Sequence, residues 1–482
     1  MSLSVALQVA QSALAARQTE SSVIARNITG AQEPGFSKKS VQLSTMYTSS
    51  GQAGGLRVNG VARMADSALY ASLLTSTSVG TSQQAKLDGI TRMAETIGDT
   101  ELETSPAALL GELQKTLQNY ASDPNNSVMA QDTLQSAKNM AASLRSGSDF
   151  VQEVRANADS DMATSVREIN SLLGELENLN STIVKGTQNG ADVTDALDDR
   201  DQVLLALSEE IGIKTMDRAN GDIVVYTDSG VTLFETSARE VSFASTTTYS
   251  PGTVGSAVIV DGVPVTGSGA IMPISSGRLH GLAELRDDTA VAYQSQLDEI
   301  ARGVIEAFGE SNGDAGLFTW SGAPAIPPGA THSVGLAADI IVNPNADPDQ
   351  GGSLDRIRDG FSVAYNPAGD AGFSARLQEL VGAFDTSRTF AGSVELDPDA
   401  SLNSFAGSSV SWLENGRKTL TKNVEIQSVI VGRTAENLSN TTGVNIDEEL
   451  TLLLEVERAY AAASRLITAV DTMLEELMMA TR

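Results

Sequence analysis

Apolar residues recur at every third or fourth position at the end of the chain, between residues 445 and 482. They are Leu452, Val456, Ala459, Ala463, Leu466, Val470, Met473 and Leu477. This heptad spacing, uninterrupted by Pro or Gly, predicts one long helix that packs along another helix. Asp447, Glu448 and Glu449 fall in its first turn, where carboxylates suit the positive end of the helix dipole.

The start of the chain has a weaker helical pattern over residues 1–28, with apolar positions at Leu3, Leu7, Ala10, Leu14, Ile24 and Ile28. Residues 1–64 contain six basic and two acidic side chains, whereas residues 445–482 contain eight acidic side chains and three arginines. Opposite charge guides the choice of partner more than it stabilises the pair. We therefore expect the two ends to pair as a coiled coil, the alternative being two ordinary amphipathic surface helices.

The middle of the chain is mostly helical in pattern. Residues 65–212 include a predicted helix over 128–189, whose roughly 60 residues would extend about 90 Å. Such a length is typical of an elongated bundle. Helical spacing returns over residues 276–312 and 370–439, so we expect these segments to join residues 65–212 in one elongated helical domain.

Residues 213–275 carry short β-branched runs separated by Gly, Asn and Asp, which predicts a small antiparallel β domain inserted into the helical body. Residues 313–369 are rich in Gly and Pro and predict an irregular segment, and residues 41–62 predict an extended connector. The expected fold is mainly α with an inserted β domain (α+β). Residues 1–64 with 440–482 would form a terminal domain, and the β domain would lie outermost.

Composition narrows the possible partners. The formal net charge of −29 over 482 residues argues against binding to nucleic acid. The chain has no cysteine, which removes disulfides and thiolate chemistry. It contains no run of about eighteen apolar residues, so no membrane insertion is expected. There is no basic residue before Arg17, so no secretory signal is predicted.

The sequence contains few residues that indicate catalysis or metal binding. Neither of the two histidines, His280 and His332, has a second histidine at ligand spacing, and no nucleophile or phosphate-binding motif is present. We predict no catalytic, cofactor-binding or metal-binding residue. The charged cluster 198–201 is interpreted as a solvated helix face.

One stretch, residues 343–349, places oxygen side chains at alternate positions as calcium loops do. An EF-hand needs Gly at its sixth position and Glu at its twelfth, whereas this stretch has Pro348 and Leu354. It is therefore interpreted as a solvated turn.

The two ends of the chain share a signature, formed by Asn27, Ile28, Pro34, Gly35, Phe36, Ser37, Asn445, Asp447, Glu448 and Tyr460. It resembles the terminal signatures of the flagellar rod, hook and hook-associated axial proteins. The Pro-Gly-Phe-Ser turn distinguishes the chain from hook proteins, so the resemblance points to the proteins at the hook–filament junction. Thr29-Gly30-Ala31 departs from the usual continuation of the family.

The resemblance implies a secreted, non-enzymatic structural protein of the extracellular flagellum. Its terminal helices would form an inner tube through Leu3, Leu7, Leu14, Ile28, Leu452, Val456, Leu466, Val470, Met473 and Leu477. Expected partners are the hook protein below, a second hook-associated junction protein above, other copies in a helical ring, and a cytosolic export chaperone on the C-terminal helix. Alternatives are another axial protein, hook-like or rod-like, or, from other classes, a secreted adhesin or a flagellum-associated hydrolase.

Overall fold

The computed structural model describes residues 3–47, 53–97 and 105–480. The helices of these residues are α1 (Leu3–Gly30), α2 (Ser67–Ile97), α3 (Pro106–Ser122), α4 (Ser127–Gln188), α5 (Thr194–Glu210), α6 (Arg278–Glu284), α7 (Ala290–Ala307), α8 (Leu336–Asp339), α9 (Asp355–Asp359), α10 (Ala375–Ala383), α11 (Leu402–Thr442) and α12 (Ile446–Ala480). A π-helical turn, Leu285–Thr289, joins α6 to α7.

The strands are short, and all their pairings are antiparallel. They are β1 (Lys39–Tyr47), β2 (Ala53–Arg63), β3 (Ile213–Asp217), β4 (Ile223–Thr227), β5 (Thr232–Glu235), β6 (Ser237–Ala238), β7 (Val241–Phe243), β8 (Val258–Val260), β9 (Val263–Pro264), β10 (Phe318–Thr319), β11 (Ile341–Val342), β12 (Ser387–Thr389) and β13 (Asp399–Ser401).

Helix α4, with 62 residues, is the central element and confirms the predicted long helix. It begins where the Asn126 side chain accepts hydrogen bonds from the backbone N–H groups of Val128 and Met129, at 3.1 and 3.4 Å. Its apolar positions are buried along almost the whole length, against α3, α5, α6 and α7. The large core of the molecule is therefore organised around this helix.

The predicted β segment forms two sheets, with strand orders β3-β4-β5-β6 and β7-β8-β9. The side-chain amide of Asn170 in α4 binds both backbone groups of Val241 in β7. It donates to Val241 O at 2.7 Å and accepts from Val241 N at 3.2 Å. The Glu177 carboxylate accepts from Ala238 N at 2.9 Å. The β segment is thus fixed to the long helix by side chains that replace missing strand partners.

The predicted connector over residues 41–62 is not a simple connector, because its described parts, residues 41–47 and 53–62, belong to the paired strands β1 and β2, whose pairing runs from Lys39–Arg63 to Tyr47–Ala53. These strands pack on α1, where Ser12 Oγ accepts from Leu56 N at 3.1 Å. The extended conformation was predicted, but the pairing of the two strands was not, because several glycines interrupt the β pattern of β2. A Cβ at Gly55 would lie 2.3 Å from Ser12 Oγ, so this close contact requires glycine.

The turn around residues 343–349 is not fully solvated, because Asp347 is buried and lies 2.8 Å from Lys138 Nζ of α4. The hydrogen bond from Lys138 lowers the pKa of Asp347. Asn343 and Asp347 each accept a backbone N–H, from Asn345 at 3.1 Å and from Asp349 at 3.2 Å. Their oxygens therefore cap short 3₁₀ turns and anchor the segment to the core.

The candidate functional site where the chain ends meet

Helices α1 and α12 pack against each other, as the charge and heptad patterns of the two ends predict. On α12 the predicted positions Val456 and Val470 are buried, at 7% and 4% exposure. The other large predicted residues on this helix, Leu452, Leu466, Met473 and Leu477, are 40–55% exposed. Their expected role in packing the inner tube concerns contacts with neighbouring subunits and stays a prediction.

The side of α12 that faces α1 includes the predicted positions Val456, Ala459, Ala463 and Val470, and Leu453, Ile467 and Leu474 are half-buried beside them. The apolar surface of α12 is wide, so two overlapping heptad patterns fit its sequence. On α1, Leu7, Leu14 and Ile28 are half-buried, and the Leu3 side chain lies outside the described residues.

Asn27 of α1 joins three segments of the chain through one buried side-chain amide. Its Nδ2 donates to Lys39 O and to Glu449 Oε2, both at 2.9 Å, and its Oδ1 accepts from Lys39 N at 3.0 Å. These bonds connect α1 to the start of β1 and to the first turn of α12. Because all three groups are removed from water, each bond matters to the packing of the chain ends.

Lys38 makes a second contact between the chain ends. Its Nζ lies 3.0 Å from Glu449 Oε1 and 3.3 Å from Glu448 Oε2, and its backbone N donates to Thr442 O at 2.7 Å. Burial alone would lower the pKa of Lys38, but hydrogen bonds and charge from Glu449 and Glu448 outweigh it and raise the pKa. The expected attraction between the basic N-terminal segment and the acidic C-terminal helix is therefore confirmed at this point.

Lys39 turns the other way, towards α5, and its side chain is completely buried. Its Nζ lies 2.8 Å from Asp198 Oδ2 and 2.9 Å from Asp195 Oδ1. The ammonium also lies 3.4 Å from the centroid of the Phe36 ring, within the range of a cation–π contact. The two adjacent lysines that follow the signature turn thus have different partners. Lys38 links the chain ends to each other, and Lys39 links them to the helical body.

The Asp198 carboxylate collects the hydrogen bonds of this region. It accepts from Ser37 Oγ at 2.6 Å, from Ser37 N at 3.2 Å and from Lys39 Nζ at 2.8 Å. Arg63, at the end of β2, donates to it at 2.9 Å and lies 2.6 Å from Asp201 Oδ2. Burial raises the pKa of Asp201, and the Arg63 charge opposes this shift.

The interpretation of residues 198–201 as a solvated face is wrong for Asp198 and Arg200, which are both 4% exposed. Their partners include residues that lie far away in the sequence, so only the fold brings them together. Sequence reasoning also missed Arg26, which lies 2.8 Å from Asp192 Oδ2 and 2.7 Å from Asp195 Oδ1. The unusual basic charge of residues 1–64 was the signal that could have identified these contacts.

The signature turn needs its glycine for two reasons. Gly35 has φ = +79°, a region that favours glycine, and a Cβ there would lie 2.9 Å from Gln202 Cγ of α5. Gln202 Nε2 donates to Pro34 O at 3.0 Å. The turn therefore fits closely against the first half of α5 and positions Ser37 and Lys39 at Asp198.

Both histidines have ordinary side-chain partners. His280 Nδ1 lies 2.9 Å from Ser82 Oγ, and His332 Nε2 lies 3.0 Å from Asp298 Oδ2. Among the described residues, no group of three or more His, Cys, Asp or Glu is arranged to hold a metal ion. The helices of the described part of the chain include none with the length and hydrophobicity of a membrane span.

The first and last helices of the chain pair, and a buried ionic network holds the paired ends to a long-helix body. A family model described as the flagellar hook-associated protein FlgK helical domain matches residues 90–316. A second, described as the flagellar basal body rod FlgEFG protein C-terminal, matches residues 437–479.

Curated relatives match over nearly the whole chain. Flagellar hook-associated protein 1 of Bacillus subtilis (strain 168) is 24% identical and aligns with 98% of this chain and 97% of its own length. The protein of the same name from Salmonella typhimurium is 21% identical over 97% of this chain and 98% of its own length. Over nearly its whole length the chain is therefore similar to flagellar hook-associated proteins.

A solved structure shares the fold. The flagellar hook junction protein FlgK from Burkholderia pseudomallei superposes with a TM-score of 0.57 at 13% identity, covering 76% of this chain and 99% of that one. At this identity the likeness concerns the arrangement of elements and not individual side chains.

Proposed function

We propose that this chain is a structural axial protein of the bacterial flagellum that joins the hook to the filament. The observation that carries the proposal is the buried contact of Asn27 with Lys39 and Glu449, which unites the two family signatures in one site. A protein of this kind works by holding neighbouring subunits in register. No reaction step is assigned to it.

The helix pair α1–α12 is the part that we assign to the inner tube, as a coiled coil. Leu452, Leu466 and Met473 support this assignment, because they form an exposed apolar stripe on α12, along the edge of the side that faces α1. Exposed large apolar residues in such a row are typical of a contact surface. Repeated contacts between unlike surfaces of successive copies would generate a helical ring.

The remaining parts have proposed roles that follow from this arrangement. The helical body, residues 65–212 with 276–312 and 370–439, would surround the tube, and the β segment 213–275 would lie outermost. The ionic network at Asp198 would transmit force between tube and body while the outer parts adapt to two lattices. The hook protein would contact the chain from below and a second junction protein from above.

Export would precede assembly. We assign the chain to the flagellar export route, with delivery outside the cell, and assign the C-terminal helix as the site that a cytosolic chaperone holds. The exposed apolar stripe on α12 supports this, because such a surface needs a cover before subunits assemble.

Electron microscopy of cells that lack the gene tests the proposal. The expected result is intact hooks without filaments, with filament protein released into the medium. Missing hooks would instead assign the chain to the rod or hook, and normal filaments would contradict a junction role. Complementation by the intact gene is the control.

A further inference from the structure

A cleft of about 880 Å³ is separate from the contact between the chain ends. It is bordered by the loop at residues 251–255, the π-helical turn Leu285–Thr289 with the end of α6, and the loop at residues 332–334. Its volume is within the range of sites that bind ligands in proteins. Single π-helical turns inside helices are frequent at functional sites.

One side of the cleft is held by two buried arginines. Arg155 of α4 donates to Thr253 O at 2.6 Å and to Arg286 O at 3.0 Å. Arg286 donates to Ser256 O at 2.8 Å, and a Cβ at Gly255 would lie 2.4 Å from its Cζ. The loop at residues 251–255 is therefore fixed in place by bonds from beneath, so the cleft is preformed.

The neighbouring loop, at residues 332–334, is fixed by Asp298 of α7, which is fully buried. It accepts hydrogen bonds from His332 Nε2 at 3.0 Å, Gly335 N at 2.8 Å and Ala337 N at 2.9 Å. These bonds hold the loop that carries Val334. Both loops at the cleft are thus ordered without a ligand, which reduces the entropic cost of binding.

The base of the cleft is acidic, and one of its charges has no partner. Glu284 lies 2.7 Å from Lys86 Nζ, and Asp287 lies 2.8 Å from Arg286 Nη2. Asp288 is exposed and, among the described residues, has no cation within ion-pair distance. Burial raises the pKa of Asp288, and the like charges of Asp287 and Glu284 raise it further. A cation that entered the cleft would relieve this repulsion.

The edge of the cleft is apolar and faces solvent. Val254 is 83% exposed and Val334 is 59% exposed, one on each of the two loops. A Cβ at Gly252 would lie 3.7 Å from Val334 Cγ1, so the two loops approach each other at this edge. Exposed aliphatic residues beside an unpaired carboxylate match a ligand that is apolar and positively charged at once.

We propose that this cleft binds a peptide segment of a partner protein in which a Lys or Arg side chain stands between apolar residues. The basic group would pair with Asp288 and the apolar neighbours would contact Val254 and Val334. The proposal is independent of the junction function, because none of these residues takes part in the contact between the chain ends.

Selection from a random peptide library on the purified full-length protein tests the proposal. We expect enrichment of sequences with one Lys or Arg flanked by apolar residues. A synthetic peptide of the enriched sequence should bind to Asp288→Asn with a dissociation constant roughly three to ten times higher, the effect expected from one partly exposed ion pair. Val254→Ser should weaken binding as well, and isothermal titration calorimetry measures both effects.

Matched controls separate the site from general effects of charge or hydrophobicity. Asp132→Asn and Val128→Ser change exposed residues at the start of α4, outside the cleft, and should leave peptide binding unchanged. Thermal unfolding verifies that all four variants fold. An acidic consensus, no enrichment, or equal binding by Asp288→Asn would overturn the proposal. So would self-association that Asp288→Asn abolishes, because the occupant would then be a second copy of this chain.

Discussion

Asn27 and Asp198 show how single polar side chains define the position of the chain ends. Each satisfies buried groups from segments that are distant in sequence: Asn27 joins α1 to β1 and α12, and Asp198 joins α5 to the signature turn and β2. A buried polar group left without its partner costs far more than the net contribution of the bond that it forms. Substitutions at these two positions are therefore expected to act on docking of the chain ends.

Asn27→Asp replaces the donor Nδ2 by an acceptor of the same shape next to Glu449. We expect a loss of about 1–3 kcal/mol in the free energy that holds the first turn of α12, because two bonds are lost and two carboxylates come together. Hydrogen exchange of the amides in that turn measures the change. Asn437→Asp, on an exposed position of α11, is the control. Equal protection in Asn27→Asp and the wild type would contradict the assigned role.

Asp198→Asn should leave the buried Lys39 ammonium undercompensated and lower the free energy of unfolding by about 3 kcal/mol. The adjacent Asp199→Asn is a close control, since Asp199 is exposed on the same helix. Urea unfolding of both variants gives the comparison. A similar free energy of unfolding for Asp198→Asn and Asp199→Asn would mean that the network around Asp198 does not stabilise the fold.

His332 predicts a dependence of local stability on pH. Its hydrogen bond with Asp298 raises the pKa of His332 in the folded chain above its ordinary value near 6.5. The folded state then binds the proton more tightly, so this stabilisation is complete below about pH 6.5 and is lost as pH rises through the raised pKa. Hydrogen exchange at the Gly335 and Ala337 amides, which bind the same carboxylate, measures it.

The variant His332→Gln isolates the His332 contribution from that of His280. Burial lowers the pKa of His280, which gives a stability change of the opposite sign, lost as pH falls. The difference between wild type and variant should therefore shrink from acidic to neutral pH. A difference that is constant with pH would refute the role of the His332 proton.

At the scale of elements, α12 carries two overlapping apolar patterns with separate roles. One, including Val456 and Val470, is buried against α1, whereas Leu452, Leu466 and Met473 are exposed along the edge of the same face. A helix with α1 as its only partner would not need large apolar residues that stay exposed. The buried and the exposed positions can be tested independently.

Leu466→Asp should block assembly into flagella and leave the monomer soluble and folded, because Leu466 is 49% exposed. Val470→Asp is the matched comparison, since it places the same charge at a position that is 4% exposed and should destabilise the α1–α12 pair itself. Motility, electron microscopy and thermal unfolding distinguish the two outcomes. Normal incorporation of Leu466→Asp would remove that residue from the inner-tube contact.

For the molecule as a whole, burial is uneven. The body has a large core of α4, α7 and their neighbours, whereas on α12 only Glu449, Val456 and Val470 are buried among the described residues. Regions with few buried apolar contacts open at lower free energy than the core does. The chain-end module of α1, β1, β2 and α12 should therefore be the weakest part of the isolated subunit.

Limited proteolysis of the soluble monomer tests this order of stability. Cleavage is expected first near residues 443–445, where α11 ends and α12 begins, with a resistant fragment that retains α4 and α7. Mass spectrometry identifies the fragment. Cleavage of the helical body before cleavage of the chain-end module would contradict the predicted order, and so would equal resistance of the two parts. The assembled flagellum serves as the protected reference.

The sequence by itself determined the long helices, the β segment and the pairing of the chain ends. These features follow from local periodicity, N-cap residues such as Ser105 and Asn126, and the charge contrast between the two ends. The family signature also lay in the sequence, because it consists of contiguous residues around a Pro-Gly turn.

Only the tertiary structure decided which apolar residues of α12 are buried against α1, that residues 39–47 pair with residues 53–63, and that Asp198 is a buried acceptor rather than a solvated charge. The physical reason is the same in each case. Periodicity specifies that a face will be buried but does not identify its partner when two patterns overlap. The ionisation and solvation of a side chain likewise depend on groups that lie more than a hundred residues away in sequence.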